Sequence, residues 1–410
     1  MSAAPKGGIP AGSLARRQIM VLALVAGLYW VAHSMLRPLI APYALTLGAS
    51  PLTAGLAVGA FSLLPSLLAI ATGFLGDFFG NRRLLQFGSA GMVASGVLLV
   101  LLDGPGLLIL SQVIAGTGML AMWLAIQSLM TFLATETGSV DERNKRITNL
   151  SLFVSGGQLA GPLLGGFVAD AAGYRSSFAV FLMLSGLVAL ASQQIRDPVP
   201  PQREQDAGDF GRRLLNSHRV ALDLLRQQGV FLTAAISFLA LFLIDMRIAF
   251  FPVYLGEVGF SPLWIGLLLS TSGAFAFLSR PILPALLRRL RTSLVVGFSL
   301  VTGALAIGSV ALTETLWALF ALAAVAGAAL GFTQPLTLAL ISDHTPKENR
   351  GIGVGLRVLA NRSATWIEPL AFSLLLSLVG IRPTFVYLAL AIAGLSLIVA
   401  LALSRLEKKG

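Results

Sequence analysis

Long apolar segments alternate with short polar, glycine-containing or proline-containing breaks along the whole chain. Twelve segments can be recognised, each near the roughly 20 apolar residues that a helix needs to cross a bilayer. They fall at 19–40, 52–76, 84–102, 106–132, 147–170, 176–195, 229–254, 262–283, 293–312, 316–341, 352–378 and 383–403. The pattern predicts an all-α membrane protein with twelve transmembrane helices. The first segment is long enough to be a span rather than a cleaved signal peptide.

The composition indicates a surface that is covered mostly by lipid. Of the 410 residues, 56% are hydrophobic and 11% are charged, whereas about a quarter of the residues in a soluble domain are charged. Cysteine is absent and the three histidines are far apart, which argues against disulfides, thiol catalysis and a clustered metal site. The sequence shows no nucleophile–base pair and no phosphate-binding loop, so we expect neither an enzyme nor a cofactor.

The basic residues indicate which loops share one side of the membrane. The net charge is +11, and the positive-inside rule explains this excess better than nucleic-acid binding does. One alternate set of loops, with both termini, holds nearly all of it: Arg16/Arg17, Arg82/Arg83, Arg143/Lys145/Arg146, 196–226, Arg288/Arg289/Arg291, Lys347/Arg350 and Arg405/Lys408/Lys409. We therefore expect a multi-pass protein of a bacterial inner membrane with both termini in the cytoplasm.

A long polar stretch divides the chain into two halves. Residues 1–195 and 229–410 each hold six segments and are predicted to form two six-helix bundles, while 196–228 is predicted to be a cytoplasmic linker. Within the linker, Arg212–Gln228 fits either a short amphipathic helix on the membrane surface or a solvated charged loop.

The two halves repeat each other in the same orientation. Ser50-Pro51-Leu52 reappears as Ser261-Pro262-Leu263, and Gln127 is matched by Gln334 at a similar offset. A parallel repeat of two bundles is the arrangement of transporters that rock around a site at the membrane midplane.

The loop after the second segment carries a signature motif. It reads Gly73-Phe-Leu-Gly-Asp77-Phe-Phe-Gly80-Asn-Arg82-Arg83. This resembles the G-x-x-x-D-x-x-G-x-R signature of the major facilitator superfamily, and the resemblance extends over essentially the whole chain. It implies a conformational latch formed by Gly73, Asp77, Gly80, Arg82 and Arg83 that holds the halves outward-open. Phe78 and Asn81 stand where the family often has basic residues, which implies a weaker latch.

A second motif lies in the fifth segment. Gly157, Gly161, Pro162, Gly165 and Gly166 match a pattern that resembles the twelve-span drug/proton antiporter group of the superfamily. The same small residues also make an ordinary face for helix packing. Exporters of this kind usually carry an arginine in the fourth span, but Gln112 stands at that position, so other residues would have to handle protons.

Ionisable residues inside the spans are candidates for function. Each costs about 2.5–3.5 kcal/mol on insertion scales, so such residues are seldom incidental. Asp245 and Glu368 are the carboxylates that lie well inside segments, and together with His33 they are the proton-coupling candidates. The alternatives are fixed ion pairs, Asp245 with an arginine and Glu368 with Arg357 or Arg362, and a packing role for His33.

The substrate cavity is expected to carry spare positive charge. The spans contain four arginines and two carboxylates, and arginine stays protonated at physiological pH. A small-molecule substrate that is anionic or zwitterionic is therefore favoured. The candidate cavity residues are Arg37, Arg247, Arg357, Asn361, Arg362, Gln127, Gln334, Trp123 and Tyr29. The other expected partners are protons and membrane lipid, with no nucleic acid and with the protein a monomer.

These patterns predict a secondary active transporter that works by alternating access. The preferred function is proton-coupled efflux of a small drug-like or metabolite-like organic solute. Two alternatives stay open: uptake by proton symport, with the fifth-span motif serving only for packing, and facilitated transport of an organic anion or lysolipid.

Overall fold

The computed structural model describes residues 11–69, 79–101, 103–135, 140–195 and 219–408. Long helices make up almost all of this part of the chain. They are α1 (Ala11–Thr46), α2 (Pro51–Leu68), α3 (Asn81–Leu101), α4 (Pro105–Thr135), α5 (Val140–Ala172), α6 (Tyr174–Ser192), α7 (Gln228–Glu257), α8 (Pro262–Ser279), α9 (Thr292–Ser309), α10 (Leu316–Gly331), α11 (Arg350–Val379) and α12 (Ile381–Glu407). Each of the twelve apolar segments therefore contains a helix, as predicted.

Two of these helices continue beyond a local break. A 3-10 turn at Arg280–Ile282 extends α8 to Leu287, and α10 resumes after Phe332 as Thr333–His344. With these extensions, eleven helices in the described part of the chain are long and apolar enough to cross a membrane. The remaining one, α11, is 30 residues long but carries charged side chains along its length, which is the first structural indication of where the site lies.

The internal repeat is visible in the backbone at the turns. Gly48 and Gly259 precede α2 and α8 with φ of 76° and 95°, and Gly173 and Gly380 precede α6 and α12 with φ of 83° each. Residues with side chains rarely adopt this left-handed conformation, so glycine is needed at both copies of each turn. Ser50 then caps α2, where its Oγ accepts a hydrogen bond from the Thr53 amide at 3.2 Å, and proline occupies the first turn.

The helices form two six-helix groups, α1–α6 and α7–α12, that meet along three helix pairs. These pairs are α2 with α11, α5 with α8, and α1 with α7. Glycine permits the closest approaches, because a methyl group on Gly55 of α2 would lie 2.5 Å from the Pro369 carbonyl oxygen of α11. In the same way, Gly166 of α5 lies directly against Pro262 and Gly266 of α8.

The close contacts between the halves lie at one end of the bundle. Gly55 follows the start of α2 by one turn, and Gly166 precedes the end of α5 by less than two turns. Since α1 begins and α12 ends on the opposite side, these contacts lie at the end away from both termini. We call this the closed end. Proline side chains from both halves, Pro38, Pro42, Pro162, Pro252 and Pro262, line a small crevice there.

A short helix at 219–225 lies within the predicted linker. Its residues Ala221 and Leu224 are buried against Val230, Ile341 and Leu356. Part of the Arg212–Gln228 segment is therefore helical, and the buried face of residues 219–225 contacts the ends of α7, α10 and α11. Its position on the membrane surface stays a prediction. Residues 212–218 lie outside the part of the chain that the structure describes.

Candidate functional site

An ion pair between α1 and α7 connects the two halves. Arg37 of α1 donates from Nη1 to Asp245 Oδ1 of α7 at 2.7 Å. The Asp245 side chain is fully buried and that of Arg37 is 12% exposed. The Arg37 guanidinium also lies 5.6 Å from the centre of the Phe61 ring. Of the two roles left open for Asp245, this geometry shows the pairing with an arginine, and the pair crosses between the bundles rather than bracing one of them.

Glu368 lies beside this pair without a partner of its own. It is fully buried on α11, and both of its carboxylate oxygens lack a hydrogen-bond partner in the described structure. Its strongest electrostatic neighbours are Asp245 and Arg37. The expected ion pair with Arg357 or Arg362 is therefore not formed. Glu368 and Asp245 thus both lie near Arg37, which is already hydrogen-bonded to Asp245.

The charged residues of α11 are divided between two surroundings. Arg357 donates from Nη1 to Gln334 Oε1 of α10 at 3.0 Å and approaches the Thr337 hydroxyl at 3.4 Å. Arg362 is instead electrostatically coupled to Tyr29, Arg37 and Asp245. Arg362 is therefore the α11 arginine that faces the other half, whereas Arg357 is held within its own half.

The other predicted cavity residues are placed less centrally. Arg247 of α7 is buried and donates a hydrogen bond to the Ser272 hydroxyl of α8, inside its own half. Gln127 is exposed on α4, while its counterpart Gln334 is bound to Arg357. Asn361 is half-buried, and its side-chain oxygen lacks a hydrogen-bond partner among the described residues.

An aromatic cluster on α1, α2 and α4 lies next to the charges. Tyr29 and Trp123 stack with ring centres 6.3 Å apart, and Trp30 meets Trp123 edge-on at 5.2 Å. His33 lies 5.0 Å from Trp30 and 5.4 Å from Phe61, and its Nδ1 is 3.1 Å from the Met119 sulfur. Tyr29 and Phe61 are buried, while the other three rings are half-buried. His33 is thus part of an aromatic wall and is not paired with a carboxylate.

Several buried polar atoms around this region have no hydrogen-bond partner in the described structure. Such atoms are rare in folded proteins unless water or a ligand satisfies them. They come from both halves and include Trp30 Nε1, Arg37 Nη2, Asp245 Oδ2, Arg247 Nε, Arg357 Nε, Asn361 Oδ1 and both Glu368 carboxylate oxygens. The middle of the molecule is therefore a polar site whose hydrogen bonds are incomplete within the protein.

The glycine motif of α5 contacts both halves. Gly157 and Gly161 lie against the backbone of α1, where a methyl group on Gly157 would be 2.6 Å from the Gly27 carbonyl oxygen, and Gly165 packs on Met35. Gly166 instead contacts α8 across the junction, and the adjacent Pro162 carbonyl meets Gly266. The motif does make a helix-packing face, and its last glycine belongs to the closed end.

The predicted latch is only partly within the described residues. Gly73 and Asp77 lie outside them. Gly80 is buried with a φ of 80° at the start of α3, and Arg82 and Arg83 are exposed there. The latch therefore stays a prediction.

Gln112 and the following glycines occupy a helix contact in α4. Gln112 is buried and donates to the Ser111 hydroxyl at 3.3 Å. Gly116 lies directly against the Phe61 carbonyl of α2, and a methyl group on Gly118 would be 2.7 Å from the Gly88 carbonyl of α3. This segment packs helices within one half.

The sequence prediction overlooked three contributors to the site. Phe61 contacts both His33 and Arg37, and Ser272 holds Arg247. Met119 contacts His33 and accepts a hydrogen bond from the Tyr29 hydroxyl at 3.1 Å. None of the three is ionisable, so a search for charges inside spans could not have found them.

The twelve-helix fold with a buried polar site between two repeats defines a membrane transport protein. The family model of the Major Facilitator Superfamily matches residues 22–315 and 291–410. The chain belongs to this superfamily, whose members are transporters rather than enzymes.

Individual relatives are distant. The drug efflux pump JefA of Mycobacterium tuberculosis (strain CDC 1551 / Oshkosh) is 29% identical over 150 residues, which cover 36% of this chain and 29% of the pump. The putative uncharacterized transporter YgaY of Escherichia coli (strain K12) is 27% identical over 184 residues, or 44% of this chain and 45% of that protein. The aligned stretches thus span less than half of these curated relatives.

Solved structures show the same fold over nearly the whole length. The nucleoside transporter NupG, crystallised as its D323A mutant, has a TM-score of 0.78 at 15% identity, covering 94% of this chain and 98% of its own. A POT family transporter in complex with 5-aminolevulinic acid has a TM-score of 0.76 at 15% identity, covering 94% and 96%.

Proposed function

We propose that this protein is a proton-coupled exporter of a small organic solute in a bacterial inner membrane. The basic loops favour a cytoplasmic position for both termini, so the closed end would face away from the cytoplasm. In that orientation the site between the halves would open to the cytoplasm, which is the state that loads a substrate for efflux. The partial similarity to a drug efflux pump supports this direction of transport.

Alternating access would come from rocking the two six-helix bundles, with the predicted boundaries at 195 and 229, around the central site. The α2–α11 and α5–α8 contacts would part when the closed end opens. The glycine contacts make such an interface both tight and separable, because they involve small residues and backbone rather than interlocked side chains.

The observation that carries the proposal is the unpartnered Glu368 carboxyl beside the Arg37–Asp245 pair. A carboxyl group without a partner is stable in the protein interior only in its neutral form. When the halves separate, the Arg37–Asp245 pair is broken and water reaches Glu368, and solvation of the carboxylate favours proton release. A conformational change between the halves would thereby be coupled to proton binding.

The alternatives differ in coupling and in direction. Symport uptake would use the same carboxylates with solute and proton moving together. Facilitated transport of an organic anion or a lysolipid would need no proton site, and it is favoured by the excess of arginine over carboxylate in the spans. In that case Glu368 and Asp245 would serve only the structure.

The test is proton movement in liposomes that contain the purified protein. A solute gradient is imposed without a pH gradient, and the internal pH is followed with a trapped dye for wild type, Glu368→Gln and Asp245→Asn. Asp223→Asn provides a control, since Asp223 is an exposed carboxylate that pairs with Arg226.

Antiport predicts that solute leaving the liposome drives protons inwards, and that this is lost in Glu368→Gln and retained in the control. Protons moving together with the solute would establish symport instead. Solute flux with no proton movement in any variant would reject proton coupling and leave a facilitator.

A further inference from the structure

The half-buried aromatic rings of the site form a wall on one side of it. Trp30, His33 and Trp123 come from α1 and α4, and the buried Tyr29 and Phe61 support them from behind. The rings adopt stacked and edge-on arrangements at 5.0–6.3 Å, a range in which a further ring can add to the cluster. Flat apolar surface of this kind suits a planar aromatic group.

Four arginines lie at or near the same site, and three of them have partners. Arg37 is neutralised by Asp245, and Arg247 and Arg357 are held by Ser272 and Gln334 within their own half. Arg362 makes no hydrogen bond or ion pair with another residue in the described part of the chain, and its electrostatic neighbours are Tyr29 of the aromatic wall, Arg37 and Asp245. Since Asp245 is already hydrogen-bonded to Arg37, the Arg362 guanidinium has no carboxylate bound to it.

Further hydrogen-bond donors without partners lie around Arg362. Trp30 Nε1 belongs to the aromatic wall and Arg37 Nη2 to the inter-half pair, and neither has a partner in the described structure. Glu368 in its neutral form would be another donor. A group that accepts several charge-assisted hydrogen bonds would satisfy these donors, and a guanidinium fork matches a carboxylate in both shape and charge.

Building on the exporter function proposed above, we propose that the substrate is an aromatic carboxylate. Its ring stacks on Trp30 and Trp123 of the first half, and its carboxylate binds Arg362 of the second half. Because the two groups lie on different halves, such a substrate would connect the bundles across the site. A ring without an acid, or an acid without a ring, would engage only one half.

The proposal is tested by calorimetric binding to the purified protein, with no membrane gradient involved. The probe is 1-naphthylacetate, compared with its neutral amide, 1-naphthylacetamide, and with cyclohexylacetate, which has the acid but no aromatic ring. The variants are Arg362→Gln, Arg362→Lys and Trp123→Leu. Arg405→Gln, at an exposed arginine near the end of α12, is the matched control.

Wild type and Arg405→Gln should bind 1-naphthylacetate about tenfold or more tightly than the amide, the effect of one charge-assisted contact. Both should also bind it more tightly than cyclohexylacetate, which lacks the ring that stacks on the wall. Arg362→Gln should bind acid and amide equally, and Arg362→Lys should restore part of the preference for the acid. Trp123→Leu should remove the preference for the aromatic acid over cyclohexylacetate. Residual amide binding shows that a variant is folded.

Equal binding of acid and amide by wild type would overturn the proposal, as would a preference that survives in Arg362→Gln, or no binding of any probe at millimolar concentration. Failure of the exporter function is distinguishable. Arg362-dependent binding without proton movement would reject proton coupling and support the aromatic carboxylate as substrate. Proton-coupled export of cations without aromatic-acid binding would support proton coupling and reject the aromatic carboxylate.

Discussion

Replacing Gly55 by alanine should weaken the closed end. The added methyl carbon would lie 2.5 Å from the Pro369 carbonyl oxygen and 2.8 Å from Ser373 Cβ. Ordinary contact begins near 3.4 Å, so α2 and α11 must separate by about 1 Å. Backbone blocks one side, and overpacking of this kind costs about 1–3 kcal/mol.

This overpacking destabilises only the conformation in which α2 and α11 are in contact. The conformational equilibrium should therefore move towards the open state by a factor of about 5–150. Because the sequence has no cysteine, spin labels can be attached at introduced thiols without further changes. Thr46→Cys and Ser377→Cys are exposed positions at this end, one on each half, and pulsed electron resonance would measure the distance between them.

Two other glycines provide controls. Gly156 of α5 has no atom within 4 Å of an added methyl group, so Gly156→Ala should leave the distance distribution unchanged. Gly118→Ala would crowd the Gly88 carbonyl within one half, so it should lower thermal stability without lengthening the label distance. Identical distance distributions for Gly55→Ala and wild type would refute the argument that this contact holds the end closed.

Three further predictions concern stability. Arg37→Gln leaves the buried Asp245 carboxylate without a partner and should lower the free energy of unfolding by about 3–5 kcal/mol. The thermal midpoint should fall and should recover when Asp245→Asn is added, whereas additive losses in the double variant would contradict the pairing. Hydrogen bonding from Arg175 lowers the pKa of the exposed Asp103. The contact therefore stabilises the fold above the unfolded-state pKa of Asp103, and this stabilisation is lost as pH falls through the folded-state pKa. Arg175→Gln should raise the pKa of Asp103, measured by NMR titration, and an unchanged pKa would contradict the contact. Glu407 accepts hydrogen bonds from the first turn of α9, so Glu407→Ala should cost about 1–2 kcal/mol in thermal unfolding, and an unchanged midpoint would reject that role.

The number and order of the helices followed from the sequence because the bilayer imposes a length on each span. Glycine and proline at the turns repeated in both halves, and the structure places both copies in matching conformations, as at Gly173 and Gly380. Among the described helices α1–α12, α11 is the one that is not among the eleven apolar enough to count as spans, and it carries charges along its length. Its charged residues were predicted to be candidates for function, since a charge inside a membrane span is rarely incidental.

The sequence did not predict which partner each charged side chain has. The spacing of Arg357, Asn361 and Glu368 put them on one face of α11, yet Arg357 is held by Gln334 while Arg362 is coupled to Tyr29 and Arg37. A long, flexible arginine reaches around its helix, so its helical position does not fix its partner. The aromatic wall depended likewise on contacts between residues up to 94 positions apart, such as Tyr29 with Trp123.

The sequence by itself determined the membrane class, the twelve helices, the two-fold repeat and the set of residues that could carry chemistry, because these depend on local hydrophobicity and spacing. Only the tertiary structure decided which residues form the site. It brought Arg37 to Asp245 across 208 positions, left Glu368 without a partner and turned Arg362 towards the rings. The physical reason is that helices dock through close glycine contacts such as those of Gly55 and Gly166, and this docking sets which side chains face one another across the halves.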